Sequence, residues 1–340
     1  MSLKSHLKRT AIAGLVVAVT APAVVAEDVL FWSRQGGQVE EVQKIRDSVL
    51  PNDAVEIEFI SPDVGPWFTR LEAELETGEG TIGVLGALHG DLSSLDTAGL
   101  VDLSDLDLGD VTPAPAFMEL GKLGTDQQLY LPWMQATYVM AANKDALQYL
   151  PEGADVMSLS YAQLIDWAKN MQAVDGTPRF GFPAGPNGLK HRFFQGYLYP
   201  SFTDSMVTEF RSDAAVAAGE TFKELWEYTN PASTSYDFMQ DPLLAGDVWV
   251  AFDHTARIGD ALNDESGNFI AFPAPAGPTG RGFMPVLAGL AIPTSAPDMD
   301  AAKAAITHMM QRDTQLNVLA AVNFFPTVDA EVGEGSSMAA

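Results

Sequence analysis

"DVLFWSRQGGQVEEVQKIRDSVLPNDAVEIEFI", residues 28–60, decides the fold. "DVLFWS" is a short apolar run with strand character. Over residues 38–49, Val39, Val42, Ile45 and Val49 recur at helical spacing, and "AVEIEFI" alternates apolar and acidic side chains as a half-buried strand does. The pattern then repeats: a helix from Trp67 to about Thr77, closed by Gly78, precedes the strand-like "TIGVLGAL" of residues 81–88. Successive strand-helix-strand units predict a mainly parallel sheet covered by helices. Ligands of such sheets sit outside the carboxyl ends of the strands. Trp32, Arg34 and Gln35 lie at one such end, and His89 with Asp91 at another.

Farther along, "LPWMQATYVMAANKDALQYL" (131–150) reads as a strand running straight into a helix. "SLSYAQLIDWAKNM" (158–171) carries Ser160 and Gln163 at capping-box spacing, with Leu164, Trp167, Ala168 and Met171 as the apolar face. "FGFPAGPNG" is a turn-rich break before the aromatic "HRFFQGYLYPSF". A helix follows over 213–229, bounded by Asp213 and Pro231. "GDVWVAF" is a strand that empties into "DHTARIGDA", and "VLAGLAIP" another, leading to a helix over 300–312. The proline-rich "FPAPAGPTGRGFMP" (272–285) is the best single boundary, where the chain crosses between domains.

The amino terminus gives an address. Lys4, Lys8 and Arg9 precede the apolar "AIAGLVVAVTAPAVVA", and Val24 and Ala26 stand at the small-residue positions before Glu27, so residues 1–26 read as a secretory signal peptide. Pro22 interrupts the run, which argues against a membrane span. Cleavage takes away three basic residues and no acid, moving the formal charge from -26 to -29. Such a chain is a poor partner for nucleic acid or anionic membranes. With no cysteine, disulfides, thiol catalysis, cysteine metal sites and a lipidated tether all fall away. The expected product is a periplasmic protein of two domains and a monomer.

Several signatures are missing. "GGQ" lacks dinucleotide-loop spacing, no phosphate-binding loop or Gly-x-Ser-x-Gly occurs, and the five histidines are scattered, so no catalytic residue, metal or cofactor is assigned. A glycosidase carboxylate pair stays open, although nothing singles one out among 45 acids. What recurs is a strand end releasing aromatic and polar groups together: Trp32 with Arg34 and Gln35, His89 with Asp91, Trp133 with Gln135 and Tyr138, and Asp253 with His254 and Arg257. Sugars suit that mixture, since a pyranose stacks its C–H face on a ring and needs donors and acceptors around its rim. For Trp32, Trp67 or Trp133 singly, core packing is an equal alternative.

In "LPWMQATYVMAANKDAL", "LLAGDVWVAFDHTARIGDA", "FPAPAGPTGRG" with "LAGLAIP", and "AAVNFFPTV", the chain resembles the family 1 extracellular solute-binding proteins of sugar ABC transporters, the maltose-binding-protein group. The resemblance implies an α/β, type II-like periplasmic-binding-protein fold. Two lobes joined by hinge strands would close on a carbohydrate between them and then dock on a membrane permease, with no chemistry. Lobe one would take residues 27–136 and 268–320; lobe two would take 137–267 and 321–340, with shortened or missing C-terminal helices.

The sequence departs from that family's pattern in two places. Thr81 and Ile82 replace its usual Pro-Asp, and Ala256, Arg257 and Ile258 stand where many relatives place a stacking tryptophan. Arg34, Arg257 and the run Lys190, His191, Arg192 suit an anionic or substituted sugar, because guanidinium forks match carboxylate, phosphate or sulfonate oxygens; a rival solute on the same fold is a glycerophosphodiester or a polyamine. A polyamine would want carboxylates there instead. Pairing of these cations with the chain's own acids is the plainer alternative.

Overall fold

The computed structural model describes residues 28–35, 39–263 and 266–331; the signal peptide expected over 1–26 and the tail "GEGSSMAA" lie outside them. The opening stretch forms the expected unit. β1 (Asp28–Ser33) leads through α1 (Val39–Ser48) to β2 (Glu56–Ile60), then α2 (Val64–Thr77) and β3 (Ile82–Leu88). β1 lies between β2 and β3, parallel to both. α2 stops at Gly78, whose φ of 72° suits a residue without Cβ. The Glu74 carboxylate accepts the backbone N–H groups of Thr81 and Ile82, both at 3.0 Å, and pins the start of β3. A proline at 81 has no N–H to give, which accounts physically for that departure. α3 (His89–Leu92), α4 (Pro115–Gly121) and β4 (Leu131–Ala136) follow.

Alternate residues of β1 serve two cores. Val29 and Phe31 pack with Ile45, Val84 and Trp133, while Leu30 and Trp32 face Trp67, Leu71 and Leu85. Both faces of this sheet are therefore covered, as parallel strands require.

The expected strand-to-helix passage at 131–150 is instead two strands. Thr137 alone separates β4 from β5 (Tyr138–Asn143), and β5 belongs to a different sheet; a 3₁₀ turn over Lys144–Tyr149 then begins at Asn143, whose side chain accepts the Asp145 N–H. α5 (Tyr161–Asp175) has the full Ser160/Gln163 capping box and buries the expected face. Next come β6 (Phe180–Gly181), α6 (Lys190–Phe193), a π-helical turn over Phe194–Leu198, α7 (Pro200–Thr203) and α8 (Asp213–Glu227). α8 is capped by Ser212 rather than Asp213. α9 (Gln240–Leu244), β7 (Val250–His254), α10 (Thr255–Leu262) and β8 (Phe269–Phe272) complete a sheet ordered β6-β7-β5-β8. Its aromatic core includes Phe182, Phe193 and Phe252.

The hairpin of β9 (Ala276–Gly277) and β10 (Gly280–Arg281) stays with the second sheet, because Gly277 and Gly282 lie directly against the backbone of Ser201 and Tyr197. β11 (Val286–Ala291) then returns to the first sheet, antiparallel between β3 and β4, and α11 (Met299–Met309) and α12 (Arg312–Val322) cover one of its faces.

Two boundaries therefore move. Residues 268–284 stand with lobe two, not lobe one, because β8 pairs with β5 and the hairpin rests on Tyr197 and Ser201. Residues 321–331 stand with lobe one, not lobe two: Phe325 exchanges backbone bonds with Gln135, Val328 joins the first core, and Thr327 bonds to Pro132 and Gln315.

Candidate functional site between the sheet ends

The first wall forms where β1 and β3 end. The Arg34 N–H donates to the Gly86 carbonyl, holding the chain beside β3 for one residue more. The Ser33 hydroxyl donates to Gln35 Oε1 at 2.6 Å and accepts the Gln35 N–H. Gln35 is buried, and its Nε2 has no partner among the described residues. Arg34 Nη1 meets Asp91 Oδ1 at 2.6 Å, while Asp91 Oδ2 is buried with no partner among the described residues. His89 Nδ1 lies 2.9 Å from the Tyr130 hydroxyl, and burial lowers its pKa. Four of the expected residues, Arg34, Gln35, His89 and Asp91, thus share one strand-end edge.

The second wall is the matching end of the other sheet. Tyr138 opens β5 opposite His254, the last residue of β7. The Tyr138 ring stacks on Phe252 at 5.5 Å, and His254 meets it edge-on at 5.1 Å. Burial pushes the Tyr138 phenol up to about 12. His254 caps α10 by accepting the Ala256 N–H on Nδ1, so its proton sits on Nε2. Burial, helped by the charges of Arg257 and Arg192, holds His254 down at about 3. Asp253 is fully buried and accepts the N–H groups of Met239 and His254, at 2.8 and 2.7 Å.

Arg257 lies 4.6 Å over the Phe238 ring and reaches the carbonyls of Asn187 and Asp237. Arg192 touches Met284 Sδ, and its Nε is buried with no partner among the described residues. Among those residues neither arginine has a carboxylate within ion-pair distance, whereas Arg34 does.

The walls meet in places. His254 lies 5.5 Å from Phe324, and Asn323 packs on Gly259. Beside them a polar pocket of about 270 Å³ opens between α1, α9, α10 and the end of α12, with Lys44, Phe238, Arg257 and Asn323 among its lining. It occupies one end of the gap and does not extend to Arg34, His89 or Tyr138.

Other expected site residues belong elsewhere. Trp32 and Trp67 are buried and bond to each other's carbonyls, and Trp133 is fully buried edge-on to Phe31. All three are core tryptophans rather than stacking platforms, because the strand alternation and α2 direct them between layers. Gln135 is tied to the Pro326 carbonyl, and Asp253 is a structural clamp on backbone amides. His191 is exposed, and neighbouring Lys190 sits over the Trp226 ring. Sequence reasoning missed Phe238, Phe324 and Thr255, whose Oγ1 is buried without a partner among the described residues. Phe324 and Thr255 carried a signal, within "AAVNFFPTV" and "DHTARIGDA"; Phe238 carried none. No group of three His, Asp or Glu side chains able to hold a metal occurs among the described residues, and no described helix is long and apolar enough to cross a membrane.

Known proteins resemble this architecture. The chain matches the GacH receptor of Streptomyces glaucescens, solved unliganded and with acarbose, at a TM-score of 0.69 and 18% identity, over 93% of this chain and 83% of that one. Maltose-bound MalE3 of T. maritima gives 0.68 and 20%, over 89% and 82%. UgpB from Mycobacterium tuberculosis, in complex with glycerophosphocholine, gives 0.65 and 20%, over 92% and 82%. No curated protein matches significantly. The sequence model of the bacterial extracellular solute-binding proteins matches residues 51–316, most of the chain, and with the two-lobed fold around a strand-end gap this protein belongs to that family.

Proposed function

We propose that this solute-binding protein captures a carbohydrate between its lobes and delivers it to the membrane permease of an ABC transporter, acting as a periplasmic monomer. One observation carries the reading: buried polar groups on both walls lack partners among the described residues, namely Gln35 Nε2 and Asp91 Oδ2 on one side, Arg192 Nε and Thr255 Oγ1 on the other. An unpaired buried polar group costs about 1–3 kcal/mol. A ligand carrying many hydroxyls removes that cost on both lobes at once and so favours closure. The half-buried Phe324 ring, 5.5 Å from His254, supplies an apolar face on the second wall, as a pyranose requires. The acarbose and maltose complexes of the similar structures support the same class.

A second reading rests on Arg192 and Arg257, which have no carboxylate within ion-pair distance among the described residues: the solute bears a carboxylate, sulfonate or phosphodiester. The glycerophosphocholine complex of UgpB supports it.

A thermal-shift screen of the purified protein tests both, using neutral mono- and oligosaccharides, acidic and sulfonated sugars, glycerophosphodiesters and polyamines. Ligand at about 100 times its dissociation constant adds about 2.7 kcal/mol to the native state. A selective upward shift with the sugar recovered intact is expected. A shift confined to phosphodiesters favours the second reading; a shift confined to polyamines, or breakdown of the sugar, overturns both.

A further inference from the structure

We propose that Tyr197 is the positioning residue of the hinge, its single hydroxyl coupling the two crossover segments and so setting how the lobes stand relative to each other. The chain leaves the first sheet through Thr137, between β4 and β5, and returns through Pro285, between Met284 and β11. These two residues are neighbours, because Ala136, just before Thr137, pairs with Val286, just after Pro285. Tyr197 belongs to neither segment, yet its hydroxyl reaches both: Thr137 Oγ1 at 3.0 Å, the Tyr138 N–H at 3.1 Å and the Met284 carbonyl at 3.4 Å.

A phenol has one proton and two lone pairs. Accepting from Thr137 and Tyr138 while donating to Met284 uses its whole capacity. The hydroxyl is therefore committed to the hinge. Its backbone is placed for the purpose: Tyr197 lies in a π-helical turn, where Gly196 admits Met284 and where Gly282 lies against the Tyr197 carbonyl. A side chain on either glycine would collide with these contacts, at 2.6 Å and 2.2 Å from the added Cβ. The return segment is thus held on lobe two as far as Met284, which leaves bending to Pro285 and Thr137. The Thr137 carbonyl also accepts the N–H of Thr255, linking the crossover to the first residue of α10.

The test needs no solute, so its outcome is separate from the identity of the ligand. The chain contains no cysteine, and Val64 on lobe one and Val174 on lobe two are exposed; Val64→Cys with Val174→Cys therefore gives one interlobe spin-label pair. Distance distributions by double electron-electron resonance are compared in the presence of Tyr197→Phe, Thr137→Val and Tyr161→Phe. The first keeps the ring and removes all three bonds, and the second removes one. The third deletes a buried lobe-two hydroxyl that bonds to neither crossover segment. Tyr197→Phe is expected to broaden or shift the distribution, Thr137→Val to do so less, and Tyr161→Phe to leave it unchanged. A Tyr197→Phe distribution superimposable on the parent's overturns the proposal, as does an equal change from Tyr161→Phe. Should Tyr197→Phe not melt cooperatively, Thr137→Val decides by the same comparison.

Discussion

The indole N–H of Trp32 donates to the carbonyl of Trp67 at 3.2 Å, and that of Trp67 donates back to the carbonyl of Trp32 at 3.1 Å. The pair joins β1 to α2 inside the second face of the first sheet, with the Arg70 guanidinium 4.5 Å from the Trp32 ring. Trp32→Ala is therefore a stability variant. It should lower the unfolding free energy by about 3–5 kcal/mol, the range for truncating a large core aromatic. Urea unfolding reads this directly, and the solute dissociation constant of the remaining folded protein should stay unchanged; a large rise in that constant with intact stability would return Trp32 to the cleft.

Asp91 has the opposite profile. Its ion pair with Arg34 is partly exposed and worth no more than about 1 kcal/mol, so Asp91→Ala should barely move the melt. Its second oxygen is buried and has no partner among the described residues. Calorimetric titration with the solute found in the screen should show at least about a tenfold loss of affinity, about 1.4 kcal/mol. Unchanged affinity removes this edge from the site.

Asp253 and His254 give stability opposite pH dependences. Burial raises Asp253 to about 7 from 3.8, although the two backbone N–H groups pull it down; the folded chain holds this proton after the unfolded chain has released it. Its contribution to stability is thus greatest below about pH 4 and declines as the pH rises to about 7. His254 is lowered from 6.5 to about 3, so its contribution is complete above about 6.5 and declines as the pH falls. The two offset one another between about pH 4 and 6.5. Asp253→Asn should steepen the acid loss in that window. His254→Asn, which keeps a side-chain cap on α10, should flatten it. Denaturant melts across pH 4 to 8 measure both slopes, and parallel curves for the variants and the parent would refute the pairing.

Glu74 provides an acid-sensitive clamp of the usual sign. Burial raises its pKa, but the N–H of Ile82, the Arg70 guanidinium and Thr81 together bring it below 4.5. Its stabilisation is present above that ordinary value and is lost as the pH falls below it. Glu74→Gln removes the charge beside Arg70, and should cost about 1–3 kcal/mol at neutral pH. The gap from the parent should narrow on acidification, as followed by urea midpoints.

The strand-helix-strand order, the Ser160/Gln163 capping box and the end of α2 at Gly78 were legible because each is written in neighbouring residues: periodicity, a four-residue hydrogen-bond pattern, a left-handed φ. The strand-end cluster of Arg34, Gln35, His89 and Asp91 was legible for the related reason that a parallel sheet gathers its carboxyl ends at one edge. The passage at Thr137 was not legible in the alternation itself; the boundary expected between residues 136 and 137 came only from the family resemblance. A strand continuing in its own sheet and one changing sheets have the same alternation, and only the hydrogen-bond partners of Tyr138 separate them.

By itself, then, the sequence determined the α/β architecture, its family and the edge at which polar groups collect. Tertiary structure alone decided which aromatics reach that edge. An indole is a large apolar body with one polar atom, equally suited to a core with a carbonyl nearby or to a sugar face, and Trp32, Trp67 and Trp133 took the core because the layers on both faces of the first sheet closed over them. It also decided that 268–284 and 321–331 lie on the lobes opposite to expectation, since long-range pairings such as Met140 with Phe272 and Gln135 with Phe325 leave no mark in local sequence.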